Sequence, residues 1–336
     1  MKRVFILTGV IVVLSAFIIA KKNLFAVPKG WPKPVYNFSK NPLTSEKIAL
    51  GRILFYDPIL SLDNSISCAS CHAQYTAFAH VDHQLSHGIF DSIGNRNSPA
   101  LMNLAWQKLF MWDGAINHLD VQALGPISHP SEMAETISNV VKKINSDVKY
   151  RSIYFQAFGD SIATGERTLK AISQFMLTLV SSNSKYDSVM RHQQKFTNQE
   201  KSGLALFEVN CASCHPAPLF TTNEFENNGL KLDEYLKDFG RLRVTHKSED
   251  SLKFKVPTLR NIEFSFPYMH DGRFKSLNEV INHYTSGIQM SQTLSKKLKT
   301  PIALSANEKV DLVAFLLTLT DKQFLFNPKF GYLKSK

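Results

Sequence analysis

The chain of 336 residues has few cysteines, modest charge and almost no strand-like pattern. It contains only four cysteines, all taken up by two copies of one short motif, so none remains for a structural disulfide. Charged residues make up 20% and hydrophobic residues 44%, the proportions of a globular protein, which argues against long disorder. Alternation of apolar and polar residues is scarce, which leaves a mostly helical chain with long loops. The formal net charge is +11, yet no basic run is interleaved with aromatics, so nucleic acid is not an expected partner. Only residues 4–20 form an apolar run approaching the length of a membrane span.

What the chain does contain is C-A-S-C-H, from Cys68 to His72 and again from Cys211 to His215. Two thiols at this spacing add across the vinyl groups of one porphyrin, and the histidine that follows reaches the iron from the proximal side. The alternative is a set of structural thiols: half a zinc site, or a redox disulfide. Zinc sites do not demand a histidine directly after each C-x-x-C unit, so the repeat predicts two covalently bound c-type haems, with Cys68, Cys71, His72, Cys211, Cys214 and His215 as their attachment residues. The length allows two domains, each large enough to bury a haem.

Lys2 and Arg3 precede the apolar run at 4–20, and Lys21 and Lys22 close it, the pattern of a secretory signal or signal anchor within residues 1–26. No A-x-A cleavage site follows, so a cleaved soluble form and a form tethered to the inner membrane both stay open. Export agrees with the haem motifs, because c-type haem is attached outside the bacterial cytoplasm; the expected location is the periplasm. The positive charge suits an acidic electron donor or an anionic membrane surface, or is simply a solvated basic surface offset in part by four haem propionates.

Pro28, Pro32, Pro34 and Pro42 mark a linker over residues 27–43. Thr44 is placed to cap a helix running through Phe55, stopped by Asp57 and Pro58. Thr197 with Glu200, and Ser305 with Glu308, read as capping boxes. Gly203-x-x-Leu206-Phe207 ahead of the second haem motif echoes Gly51-x-x-Leu54-Phe55 ahead of the first. Helical spacing links Met133, Ile137, Val140 and Ile144, and also Leu169, Ile172, Met176 and Leu179. The expected fold is therefore all-α: two cytochrome c-like haem domains in tandem, over residues 44–190 and 191–330, related by duplication. The long loop over 221–253 is expected to carry function or cover a cofactor.

Five further stretches are R-N-S-P from Arg96, W-D-G from Trp112, G-P-I-S-H-P-S-E-M from Gly125, F-K-V-P-T-L-R-N from Phe254, and P-Y-M-H-D-G ending at Gly272. With the haem motifs they occur in order from about Thr44 to Thr320, and in this the chain resembles the bacterial dihaem cytochrome c peroxidase family. The resemblance implies reduction of hydrogen peroxide to water with electrons from a small cytochrome c or cupredoxin. The family also includes MauG, which matures tryptophan tryptophylquinone in another protein. A homodimer is left open.

Carried over residue by residue, the resemblance makes the His72 haem the peroxidatic centre and the His215 haem the electron-entry centre. It places Glu132 as the distal acid, Gln122 as the distal amide, and Trp112 as a relay between the haems. A carboxyl over the iron can take a proton from one peroxide oxygen and deliver it to the other. Asn97 and the carbonyls of Ser265 and Pro267 match family positions that hold a calcium ion. His270 is expected to support the second haem, and Arg260 to meet a propionate.

Two departures matter. Where peroxidases of this family carry a displaceable distal histidine, the aligned residue is Ile89, which cannot ligate iron. His80, His83 and His87 lie nearby in sequence as candidate substitutes. At the second haem the usual distal methionine is replaced by Tyr284, with Met290 as a rival ligand; MauG has a tyrosine at the matching position. Phenolate ligation lowers the potential relative to a thioether. The leading expectation is a periplasmic dihaem peroxidase. The alternatives are a MauG-like oxidase of a protein side chain and a non-catalytic dihaem electron carrier.

Overall fold

Helix α1 (Ser45–Tyr56) begins where Thr44 turns its hydroxyl to accept the Lys47 amide at 3.2 Å. It ends at Asp57, whose carboxylate caps the next single turn through the Ile59 amide at 2.9 Å. These residues belong to a computed structural model that describes residues 23–332. The signal or anchor expected at residues 4–20 lies outside the described residues.

In the first half, α1 lies along α4 (Gly165–Leu177), with α2 (Ile137–Ser146) and α3 (Val148–Phe158) packed beside them. The α1–α4 contact is close because of Gly51: a Cβ there would sit 1.8 Å from the Ala171 carbonyl oxygen. Leu50, Leu54 and Phe55 are thereby sealed against Ile172, Phe175 and Met176. Met133 is buried in the turn before α2, which starts after the cap Thr136.

The second half contains one comparable close helix pair. Both capping boxes form: Thr197 with Glu200 opens α5 (Asn198–Asn210), and Ser305 with Glu308 opens α7 (Ala306–Leu317). A Cβ at Gly203 would lie 1.9 Å from the Asp311 carbonyl oxygen, so α5 approaches α7 as α1 approaches α4. Between them α6 (Leu277–Asn282) runs into a π-helical turn, His283–Gly287. The fold is mostly helical. The only sheet among the described residues pairs β1 (Phe225–Glu226) antiparallel with β2 (Phe254–Lys255) at either end of the long loop. No helix among the described residues is long and apolar enough to cross a membrane.

Two separate apolar cores result. One gathers Leu50, Phe55, Ile172 and Phe175; the other gathers Phe207, Phe220, Ile281 and Phe315. Tyr186 already packs in the second core, whereas Phe324 and Leu325 return to the first. Polar contacts join the halves. Arg96 binds Asp238 at 2.6 and 2.9 Å and Asp113 at 2.6 Å.

Arg260, which has no exposed surface, donates to both Asp187 oxygens at 2.8 Å and to Pro218 O at 2.8 Å. The Arg260 contacts hold the Asp187 carboxyl below its usual range against the opposing effect of burial. Asp187→Asn leaves a buried guanidinium without its counter-charge. Thermal or denaturant unfolding of the holoprotein is expected to show a loss of about 3–5 kcal/mol.

Candidate functional site

Each C-A-S-C-H motif follows the glycine-bearing helix of its own half, through a loop after α1 and directly after α5. All four cysteines are free of disulfides. Burial raises Cys68 and Cys211 to about 12 and Cys71 to about 11. Before haem attachment these three are therefore neutral thiols, not activated thiolates. No group of three or more His, Cys, Asp or Glu residues converges on a metal-sized point among the described residues, so the zinc alternative finds no ligand set.

The two histidines are held in the same way. His72 Nδ1 lies 2.7 Å from the Phe78 carbonyl oxygen; His215 Nδ1 lies 3.1 Å from the carbonyls of both Phe220 and Pro257. A carbonyl only accepts, so Nδ1 carries the proton and Nε2 keeps its lone pair for a metal. Phe78 and Phe220 share a left-handed backbone, with φ of 58° and 54°. Burial lowers both imidazoles to about 4, which keeps them neutral, as iron ligation requires.

Both histidines open onto one cavity of about 540 Å³ that runs between the halves. At its first end stand Gln122 and Glu132, which also line a smaller pocket of about 60 Å³ shared with His72. Burial raises the Glu132 carboxyl, an effect opposed by His129. The loop bearing Gly88 fixes its backbone: the Ile89 amide donates to the Glu132 carbonyl at 2.8 Å, and a Cβ at Gly88 would meet Ser131 O at 2.2 Å. Gln122 Nε2 approaches Met111 Sδ at 3.7 Å.

Ile89 is buried and lies off the cavity wall. Of the three nearby histidines, only His87 reaches a haem-side pocket. Its ring stacks on that of His83 at 4.0 Å, with His80 5.4 Å from His83.

Trp112 lines the wall and donates from Nε1 to the Asn97 carbonyl at 2.8 Å. Asn97, Ser265 and Pro267 share that wall. Asn97 Nδ2 donates to Gln84 O at 3.0 Å, leaving Oδ1 as an acceptor. These are neutral oxygens of the type calcium accepts, three in number, and they fit only a shell completed by other oxygens. His270 stacks on Phe254 at 3.6 Å and also faces the cavity; burial lowers it to about 4.

At the second end, Tyr284 faces the cavity from the π-helical turn, with Cys211, Cys214 and His215 on the same wall. Burial pushes its hydroxyl up to about 12. Met290 is 72% exposed and off the wall. Arg260 also departs from expectation. Its guanidinium is committed to Asp187 and stacks 4.6 Å over Trp31, so it is a structural cation and no propionate partner. The sequence reading gave no role to Arg96, Met111, Asn228 or Lys255, all of which line the cavity. Arg96 and Lys255 stood in recognised motifs, while Met111 directly precedes one and Asn228 lies in the long loop, with no signal of its own.

A sequence profile described as di-haem cytochrome c peroxidase matches residues 45–195. The methylamine utilization protein MauG of Methylorubrum extorquens is 36% identical over 89% of this chain and 84% of its own. The chain belongs to the di-haem cytochrome c peroxidase family. The cytochrome c551 peroxidase of Nitrosomonas europaea is 35% identical over 84% of this chain and 82% of that one. A crystal structure of a MauG-like protein associated with microbial copper homeostasis superposes with a TM-score of 0.84 at 31% identity, covering 91% of this chain and 97% of that one. Membership makes the protein a haem-carrying oxidoreductase, and the paired motifs fit the cofactor by thiol spacing, histidine tautomer and a shared cavity. Replacing Cys211 and Cys214 together by Ser is expected to halve the covalent haem per chain, read by the pyridine haemochrome assay.

Proposed function

We propose that this protein is a peroxide-driven dihaem oxidoreductase of the periplasm that draws its electrons from a protein side chain, as a MauG-type enzyme does. The observation that carries this reading is Tyr284 on the wall of the second haem site while Met290 points away from it. An oxygen ligand in place of a thioether lowers the potential and disfavours easy electron uptake from an ordinary cytochrome.

The haems supply the electron transfer by which hydrogen peroxide, two electrons and two protons become two waters. Glu132 takes the proton from the near peroxide oxygen and returns it to the departing one, and its raised pKa brings that exchange toward neutral pH. Gln122 orients the peroxide through its amide. Trp112, fixed by Asn97, relays charge between the two ends of the cavity. Ile89 lies off the wall and cannot ligate iron, and His87 is the one nearby histidine that reaches this pocket; with His87 unligated, the first site is accessible to peroxide without prior reduction. The presence of Glu132 and Gln122 on that wall argues against a pure electron carrier.

A second reading keeps the same peroxide chemistry but takes electrons from a small cytochrome c or cupredoxin. The net charge of +11 favours it, since a basic surface steers an acidic donor. Calcium at Asn97, Ser265 and Pro267 would brace the Trp112 wall. The matched Gly51 and Gly203 contacts and the paired histidine clamps support tandem cytochrome c-like domains derived by duplication.

Peroxide titration of the holoprotein, with and without a reduced donor, separates the two readings. A spectral change that persists for minutes without donor and yields slow donor turnover is expected; rapid steady turnover with a reduced cytochrome overturns the side-chain reading. Glu132→Gln is expected to slow the reaction with peroxide by on the order of 10²–10⁴-fold. The wild-type rate should rise with pH through the raised Glu132 pKa, placing its acid limb above the ordinary carboxylate range, and the limb should vanish in the variant. Tyr284→Met is expected to raise the potential of one haem in a spectroelectrochemical titration.

A further inference from the structure

Lys255 sits in β2, two residues before Pro257, whose carbonyl holds His215. Its side chain crosses to the other half, where Nζ donates to Gln107 Oε1 at 2.8 Å and to Leu109 O at 3.1 Å. Its backbone amide donates to the Trp112 carbonyl at 2.7 Å. An ammonium has three donors. Two meet neutral oxygens here, and no carboxylate of the described residues lies within ion-pair reach.

The other deep cations near this junction are matched: Arg96 by Asp113 and Asp238, Arg260 by Asp187. Asp113 acts on Lys255 only through space, because its nearer partner is Arg96 at 2.6 Å. Burial accordingly lowers the Lys255 ammonium to about 8. Yet the residue is not closed over by protein; it lines the cavity between the haem sites. A partly buried cation with neutral hydrogen-bond partners and one donor to spare, facing a cofactor cavity, calls for an anion from the cofactor.

We propose that Lys255 binds a haem propionate at the wall between the two halves, the role that Arg260 does not fill. A porphyrin of this type offers no other anion. Lys255 is thus a positioning residue: one residue ties a haem edge to the Trp112 carbonyl, and its strand continues to the carbonyl that orients His215. The inference rests on haem binding alone and is independent of where the electrons come from.

The test is a spectroelectrochemical titration of wild-type, Lys255→Met and Lys255→Arg holoproteins, with resonance Raman spectra of the propionate bending bands. Loss of the cation should disfavour the more negative reduced haem. Lys255→Met is therefore expected to shift the reduction equilibrium of one haem at least tenfold, about 59 mV downward for one electron. It should also move a propionate band, and Lys255→Arg should restore both signals. Potentials within twofold of wild type in equilibrium constant, or a shifted potential with unmoved propionate bands, overturn the proposal. If Lys255→Met fails to load two haems, a crystal structure of the wild-type holoprotein decides. Nζ within hydrogen-bond reach of a propionate supports the proposal, and Nζ beyond about 4 Å from every propionate oxygen overturns it.

Discussion

The hydrogen bond from the histidine of each C-A-S-C-H motif to a main-chain carbonyl is the constraint on which the rest of this structure depends. It protonates Nδ1, frees Nε2 and fixes the ring plane. For the carbonyl to face the ring, Phe78 and Phe220 must adopt a left-handed backbone, which a non-glycine residue takes only when its surroundings enforce it. Those surroundings are the apolar cores. Phe78 packs on Phe55 and Phe324, and Phe220 on Tyr186 and Phe207. The close helix contacts at Gly51 and Gly203 bring these aromatic clusters together, so ligand orientation is a product of core packing.

On that plan the two ends of the cavity carry different polar side chains. The first presents a carboxyl biased toward its protonated form and an amide, groups that exchange protons and hydrogen bonds. The second presents a phenol whose burial holds the neutral form unless a cation compensates its charge. The two ends thus differ in a few side chains while sharing the histidine clamps and the close glycine contacts.

Covalent attachment, helix starts and the glycine repeats were legible in the sequence because each is a local pattern with a local cause. The Thr44 cap and both capping boxes needed only a few residues to be read. Arg260 was not legible in that way. Its partner Asp187 lies in a helix 73 residues earlier, and nothing in the motif F-K-V-P-T-L-R-N says that Arg260 turns inward while Lys255 reaches the cavity. Tyr284 was preferred to Met290 from the sequence, and the fold agrees: the π-helical turn at His283–Gly287 carries Tyr284 to the wall, while Met290 lies beyond it and is exposed. His80, His83 and His87 illustrate the same limit as Arg260. Their spacing places them together, but only the fold shows that His87 alone touches a haem-side pocket.

The wall that carries Trp112 is assembled from both halves. The Asn97 amide donates to His270 O at 2.7 Å, Trp112 Nε1 donates to Asn97 O at 2.8 Å, and the Lys255 amide donates to Trp112 O at 2.7 Å. Trp112 is thus bonded to the first half by its ring and to the second by its main-chain carbonyl. Any sliding of one half past the other would break one of these bonds and leave a polar group unpaired inside the molecule, which is unfavourable. Arg96, bound to Asp113 beside Trp112 and to Asp238 across the junction, resists the same displacement. The joint between the halves is therefore held in part by Trp112 itself, through its ring on one side and its main chain on the other.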